Sequence, residues 1–286
     1  MPDNGLMPPT ARNRLALPQV TVCAVSSTNV VATVRALETS LRQIAFAEAI
    51  LFTHADQPRP LPGGNSEIRI VEIERLNSSA AYSEFLLAHL ASHVMTSHCL
   101  IVQWDGHVID AARWRSEFLD YDYIGARWPQ FGDGLDVGNG GFSLRSRRLM
   151  AACGAAAFKQ HHPEDLAICR TNRAFLEQQG MFFAPSELAD AFAAERAGEP
   201  AASFGYHGVF LMPRVLGAET FWEVYRTLDD RSSLKPDFAN LVKAVRTGPS
   251  SVSRSLRMIS TRFSDALHRL IRKPRASSPS YRQNVS

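Results

Sequence analysis

The amino-acid sequence predicts an α/β protein: a central, mostly parallel sheet flanked by helices, with a helical C-terminal extension. Three observations carry this expectation. Short β-branched apolar runs such as VTVCAV alternate with stretches of helical period through the first half of the chain. The connections between those runs are of helix length, which neighbouring parallel strands require. A chain of 286 residues, 45% hydrophobic and 21% charged, is long enough to bury a large core.

The elements follow in order. Residues 1–18 show neither period and are expected as a disordered leader, and residues 19–215 as the α/β domain. VTVCAV is the first strand, bounded by SSTN, which caps a helix. That helix repeats apolar positions at Val30, Val34, Leu37, Leu41 and Ile44, one buried stripe. AILFT and EIRIVEI read as strands around the QPRPLPGGN loop, YSEFLLAHLASHVMT as a helix and HCLIVQWD as a strand. Past Asp110 comes a long aromatic, glycine-rich loop, of the kind that tends to carry function, then the strand GFSLRS. Helices are expected at about 147–154 and 164–178, AGEPAAS as a linker and FGYHGVFLMPRVL as a last strand. Residues 216–250 complete the chain as a helical extension and 251–286 as a basic amphipathic tail that ends in disorder.

Composition narrows the function. A formal charge of +3, with no interleaving of aromatic and basic residues, gives no footprint for nucleic acid. Cys23, Cys99, Cys153 and Cys169 are too far apart for a zinc knuckle and read as reduced, buried thiols. No signal peptide and no run of roughly 20 apolar residues is present, so the expected location is cytoplasmic. The tail concentrates charge: from Ser251 onward Asp265 is the sole acid, while Val252, Leu256, Ile259, Phe263, Leu267 and Leu270 share one helical face. Such a helix either lies on an anionic membrane surface, peripheral to the inner membrane, or packs its apolar side on the domain.

In an open α/β sheet, ligands bind beyond the carboxyl ends of the strands. Three points stand there: Ser26 to Asn29, Asp105 in QWDG, and the NGG loop before GFSLRS. A carboxylate such as Asp105 either holds a hard cation, Mg²⁺ or Mn²⁺, or caps the turn that Gly106 allows. Gly140 and Gly141 either admit a polar ligand close to the backbone or make a plain tight turn. Glu164 and Asp165, behind a proline, suit the dipole of a helix start, and a carboxylate there also suits a general base. His207 in FGYHG is a metal ligand or a histidine satisfied by hydrogen bonds.

The ordered set QWDG, VGNGGFSLRS, PEDLAICR and FGYHG, with VTVCAVSSTN in front and AAYSEF between, resembles a bacterial domain family of formally unknown function. That family is regarded as related to GT-A glycosyltransferases, and the likeness runs from about Val20 to Phe210. It implies a GT-A-like, Rossmann-like fold and transfer of a hexose from a nucleoside-diphosphate sugar, a UDP-sugar favoured, to a hydroxyl of a glycan or lipid-linked acceptor, with inversion. Asp105 would hold Mn²⁺ or Mg²⁺ against the donor diphosphate, with His207 as second metal ligand. Ser26, Thr28, Asn29, Tyr82 and Ser83 would lie near the nucleotide, beside Trp104 and Gly106 of QWDG. Asn139, Gly140 and Gly141 would line the sugar or acceptor pocket, and Asp165 or Glu164, Asp165 preferred, would be the base. One departure is plain: Gln103 stands where the first acid of a DxD motif belongs. The rival reading is a catalytically inactive nucleotide- or glycan-binding protein on the same fold. A phosphate-handling hydrolase is the weaker third, because the chain has no GxxxxGK loop.

Overall fold

The computed structural model describes residues 14–57, 66–246 and 251–272. Residues 1–13, most of the QPRPLPGGN loop and the end of the tail lie outside that range. Strand β1, Leu15–Val25, begins inside the segment expected as a leader. The reason is pairing: Leu15–Leu17 lie in register with Ile44–Phe46, and the register shifts between Leu17 and Thr21. Pro18, which has no N–H to give the ladder, sits in that irregularity and masks the strand in the sequence.

Helix α1 (Val30–Leu41) leads to β2 (Ile44–Thr53) and β3 (Ile68–Glu72). Helix α2 (Ser79–Glu84) is capped by the Ser78 hydroxyl, which accepts from the Ala81 N–H at 3.1 Å, and continues through irregular turns to β4 (His98–Val102). Then come β5 (Gly106–Val108), β6 (Tyr123–Gly125), β7 (Phe142–Ser146) and α3 (Arg147–Cys153). The short helices α4 (Glu164–Leu166), α5 (Arg173–Gln178) and α6 (Ser186–Phe192) precede β8 (Ala193–Ala194) and β9 (Gly205–His207). Helices α7 (Met212–Thr227), α8 (Phe238–Ala244) and α9 (Ser251–Arg272) follow. Helix α7 crosses the boundary expected at 215 and breaks at Gly217, whose φ of 79° leaves the helical region.

The main sheet has the order β3-β2-β1-β4-β7-β6. β1 pairs in parallel with β2 and β4, β2 with β3, and β7 runs antiparallel to both β4 and β6. This is the central, mostly parallel, helix-flanked sheet that the sequence predicts, with one reversed strand. Both faces are covered. Val20, Val22 and Ala24 of β1 pack with α1 on one side, while Cys23 and Val25 meet Phe85 and Leu90 on the other. Each fully buried Leu, Ile or Phe in these layers contributes about 1.5–3 kcal/mol. All four cysteines are buried and unbridged, as expected.

A second sheet was not legible: β5, β9 and β8 form a three-stranded sheet in the order β5-β9-β8. The expected strand FGYHGVFLMPRVL is therefore corrected. It contributes only Gly205–His207 to a strand, after which Gly208 turns the backbone at φ 107° and α7 begins. β6 likewise lies hidden in the aromatic loop.

Candidate functional site

The small sheet collects the polar residues of interest. Gly106 pairs with His207 across β5 and β9, and Ala194 pairs with Tyr206 across β8 and β9. Asp105, just before β5, and Glu195, just after β8, thereby flank His207 from opposite sides. His207 Nε2 lies 3.4 Å from Asp105 Oδ1 and Nδ1 lies 3.3 Å from Glu195 Oε1. Burial alone lowers an imidazole pKa, yet here Asp105 and then Glu195 outweigh it and push His207 up to about 10. The ring is an imidazolium between two carboxylates when nothing else binds there.

Asp105 and Glu195 differ in one respect. Asp105 is buried, and its Oδ1, although within ion-pair range of His207, receives no hydrogen bond. Its partner there is the His207 imidazolium alone, an ion pair at 3.4 Å without an aligned hydrogen bond, so the oxygen keeps capacity for a further ligand. Gln103 Oε1 also faces His207 Nε2, at 3.3 Å, while its Nε2 donates to the Tyr82 hydroxyl at 2.9 Å. One carboxylate oxygen, one imidazole nitrogen and one amide oxygen make a donor set suited to Mn²⁺ or Mg²⁺. Glu195 would then hold the far nitrogen of the imidazole, as carboxylates behind metal-bound histidines do. Asp105 Oδ1, free of hydrogen bonds, fits a cation, but as a sparse site: among the described residues, no group of three or more His, Cys, Asp or Glu is placed to hold a metal.

Gln103 also connects this trio to open space. A cleft of about 390 Å³ lies beyond the carboxyl ends of β1 and β4, lined by Ser26, Thr28, Tyr82, Gln103, Trp104, Asp230 and Ser232 among others. Its size is in the range of small-molecule sites. Of the expected nucleotide residues, Ser26, Thr28, Tyr82 and Trp104 line it. Ser26 turns its hydroxyl to the carbonyl of Thr28. Burial, followed by the Glu164 charge, raises the Tyr82 hydroxyl well above its ordinary range, so it stays a neutral phenol.

Other expected residues do different work. Asn29, at φ 54°, is a clamp: its Oδ1 accepts from the Asp229 and Asp230 N–H groups at 2.8 and 2.9 Å, and its Nδ2 donates to the Asp230 carbonyl at 2.9 Å. Its side chain is thus committed to the C-terminal extension rather than to a ligand. Ser83 is buried under Glu164, donating to Oε2 at 3.1 Å and accepting from the Glu164 N–H at 3.2 Å. Gly106 serves the strand pairing, since a Cβ there would stand 2.7 Å from the Tyr206 carbonyl oxygen.

The NGG loop needs a similar correction. A Cβ on Gly140 would meet Glu164 Oε1 at 2.2 Å, and one on Gly141 would meet His207 Nε2 at 2.1 Å. Protein side chains, not an open ligand space, occupy the room these glycines leave. Asn139, also at positive φ, braces the loop by accepting from the Gly141 N–H at 3.1 Å. Two neighbouring peptide units therefore touch the Glu164 group and the His207 group, and hold the two together.

The acidic pair at the start of α4 splits in role. Glu164 is 5% exposed and forms a buried ion pair with Arg145, Nη2 to Oε1 at 3.1 Å, in which the Arg145 side chain is 1% exposed. Asp165 is only partly buried and accepts from the Gly140 N–H at 3.1 Å and the Leu166 N–H at 2.8 Å. Burial first, and then the Glu164 charge, raise the Asp165 carboxyl above its ordinary value. Neither carboxylate lines the cleft itself. Three arginines that could otherwise meet a phosphate are paired within the protein: Arg127 with Asp190, Arg145 with Glu164 and Arg170 with Asp133.

Sequence reasoning missed Glu195, Asp230 and Ser232. Glu195 follows a two-residue strand with no readable period, and the only cue is an acid beside the apolar run ADAFAA. The extension's share of the cleft wall has no cue in the sequence at all.

A crystal structure of an active-site mutant of LgtC is similar to this chain over 75% of its residues and 99% of the LgtC chain, with a TM-score of 0.40 and 14% identity. No curated protein matches. Residues 65–207, which hold QWDG, the NGG loop, the acidic pair and His207, match the model of the family described as "Protein of unknown function (DUF5672)", and the chain belongs to that family.

Proposed function

We propose that the protein is a nucleotide-sugar-dependent glycosyltransferase. It moves a hexose from a nucleoside-diphosphate sugar, a UDP-sugar favoured, to a hydroxyl of a glycan or lipid-linked acceptor, with inversion. The observation that carries this reading is the cleft beyond the strand ends, whose lining residue Gln103 leads through His207 to a buried Asp105 oxygen with no hydrogen bond. The motifs QWDG, NGG, ED and FGYHG support it by their resemblance to the GT-A-related family, whose lineage of activity is the source of the sugar-transfer assignment.

In this reading Ser26, Thr28, Tyr82 and Trp104 bind and orient the nucleotide in the cleft. Asp105 and His207 are the residues that would hold Mn²⁺ or Mg²⁺, which stabilises charge on the departing diphosphate when bound. Asp165 is the base: the acceptor O–H gives its proton to the carboxylate as the acceptor oxygen bonds to the sugar carbon and the bond to the diphosphate breaks. A carboxyl raised by burial is a better base than a free one. Glu164 and Arg145 position Asp165 through the NGG loop. The protein works in the cytoplasm at the inner membrane face.

The rival, a binding protein that keeps the fold without turnover, is favoured by Gln103 and by the sparse metal site. Thermal-shift and hydrolysis measurements with a panel of sugar nucleotides, with and without Mn²⁺, separate the two. Asp105→Ala is expected to abolish metal-supported binding, and Asp165→Ala to keep binding while losing turnover by about 10²–10⁴-fold. Binding with no turnover in any form establishes the rival. Absence of both in the folded native protein overturns both.

A further inference from the structure

Helix α9 meets the body of the protein with an unexpected face. Met258 is fully buried, Ser255 is 3% exposed and Arg254 6%, and the Arg254 guanidinium pairs with Glu219 of α7. The Arg262 guanidinium stacks 4.3 Å from the Phe238 ring of α8. Ile259 packs partly against the body beside Met258, while four other large apolar residues point elsewhere. Val252, Leu256, Phe263 and Leu267 are 70%, 62%, 72% and 59% exposed, and their spacings of four, seven and four residues return to a single side of the helix. Of the six residues expected on one face, Ile259 packs partly against the body, the side chain of Leu270 lies outside the described residues, and the other four face away from the domain.

Four exposed large apolar side chains on one helix face call for a covering partner. Charge says which one. Residues 251–286 hold eight Lys and Arg against one acid, Asp265, although the chain as a whole is only +3, so the remainder is net acidic. Asp265 itself turns to the body, 3.8 Å from Arg231. Beside the stripe on its other flank stand Ser253, Ser260, Ser264 and the exposed Arg257. An apolar stripe on a basic segment matches an anionic lipid surface, into which the stripe sinks while the exposed Arg257 beside it meets headgroups. No helix among the described residues is long and apolar enough to cross a membrane, so the contact lies in the plane of the interface.

We propose that α9 docks the protein on an anionic bilayer through Val252, Leu256, Phe263 and Leu267. The docking also bears on the acceptor, and for that part it rests on the function proposed above. Arg231, which reaches α9 at Asp265, lies between Asp230 and Ser232, two residues of the cleft wall. Helix α9 thus stands between the cleft wall and the bilayer it docks, and holds the cleft about one helix diameter from a lipid-linked acceptor.

The test is co-sedimentation of the full chain with vesicles of phosphatidylcholine alone or with about a third phosphatidylglycerol. The native protein is expected to bind the anionic vesicles, to bind the neutral ones at least several-fold less, and to be released by salt. Leu256→Glu/Phe263→Glu is expected to lower vesicle binding about tenfold or more, with an unchanged melting temperature, because both side chains are exposed. Val252→Ser/Leu267→Ser is a milder pair with the same direction. Equal sedimentation of native and variant proteins overturns the proposal. So does light scattering that shows a native dimer, without vesicle binding, which the variants turn into monomer. Sugar-nucleotide thermal shifts, which the stripe variants leave intact, report separately on the proposed function.

Discussion

The two sides of the NGG loop make an instructive contrast. On the Gly140 side, Glu164 and Arg145 close on each other with Ser83 above them, and both charges are fully used inside the protein. On the Gly141 side, His207 has a carboxylate at each nitrogen, yet Asp105 keeps an oxygen with no hydrogen bond. The first arrangement is a brace, because a buried ion pair with every partner in place fixes geometry and offers nothing to a ligand. The second is an unfinished network, and an unfinished buried network is where a ligand has something to complete.

Removing one partner from the brace is the largest expected perturbation. Arg145→Met leaves the Glu164 carboxylate buried and uncompensated, and a loss of about 3–5 kcal/mol is expected in denaturant unfolding. If the variant unfolds at the native midpoint, the Gly140 side is not a brace. Asp165→Asn sharpens the same side from the opposite direction. The folded protein raises this carboxyl, so its contribution is present below the ordinary carboxylate range and is lost as pH rises through the folded value. At neutral pH the asparagine variant is therefore expected to melt no lower than the native protein while losing turnover.

On the other side, Gln103→Asp restores a second acid beside Asp105 and is expected to tighten Mn²⁺ about tenfold by calorimetry. Unchanged metal affinity would mean that Gln103 Oε1 does not share a site with Asp105. With chelator present, His207 offers a pH signature. Its folded value of about 10 lies above the ordinary 6.5, so its stabilisation is complete below pH 6.5 and disappears as pH rises to about 10. The melting-temperature gap between native protein and His207→Gln is expected to shrink across that window, and a constant gap sinks the ion-triad description. Alanine scanning of glycines ends the series on its smallest effect. Gly141→Ala crowds the imidazole and is expected to cost about 1–3 kcal/mol, whereas Gly132→Ala, with nothing within 4 Å, is expected to change stability by less than about 0.5 kcal/mol.

Much of this molecule is legible in its sequence where a local pattern reports a local cause. The alternation of apolar runs reveals β1 to β4, and a lone acid after one of them directs attention to Asp105. What escapes is set by partners far along the chain. Asn29 looks like a strand-end ligand residue until Asp229 and Asp230, 200 residues later, are seen on its side chain. β6, β8 and β9 are two or three residues long, too short for any period, and without them neither Glu195 nor the reversed end of the sheet can be foreseen. Glu164 and Asp165 look equivalent as neighbours in sequence, and only burial beside Arg145 separates them. Gly140 and Gly141 read as room for a ligand because the side chains that fill that room come from residues 164 and 207.

The Asn29 clamp has a consequence for how the protein comes into being. Its hydrogen bonds fasten the start of α1, made early, to residues 229 and 230, which also lead into the cleft wall. A ribosome delivers the chain from its N-terminus, so the sheet and the whole of residues 65–207 emerge while Asn29 still has no partner. The cleft stays open on one side until the last fifth of the chain arrives. A nascent or prematurely terminated copy thus carries the matched family segment while one wall of the cleft is still missing.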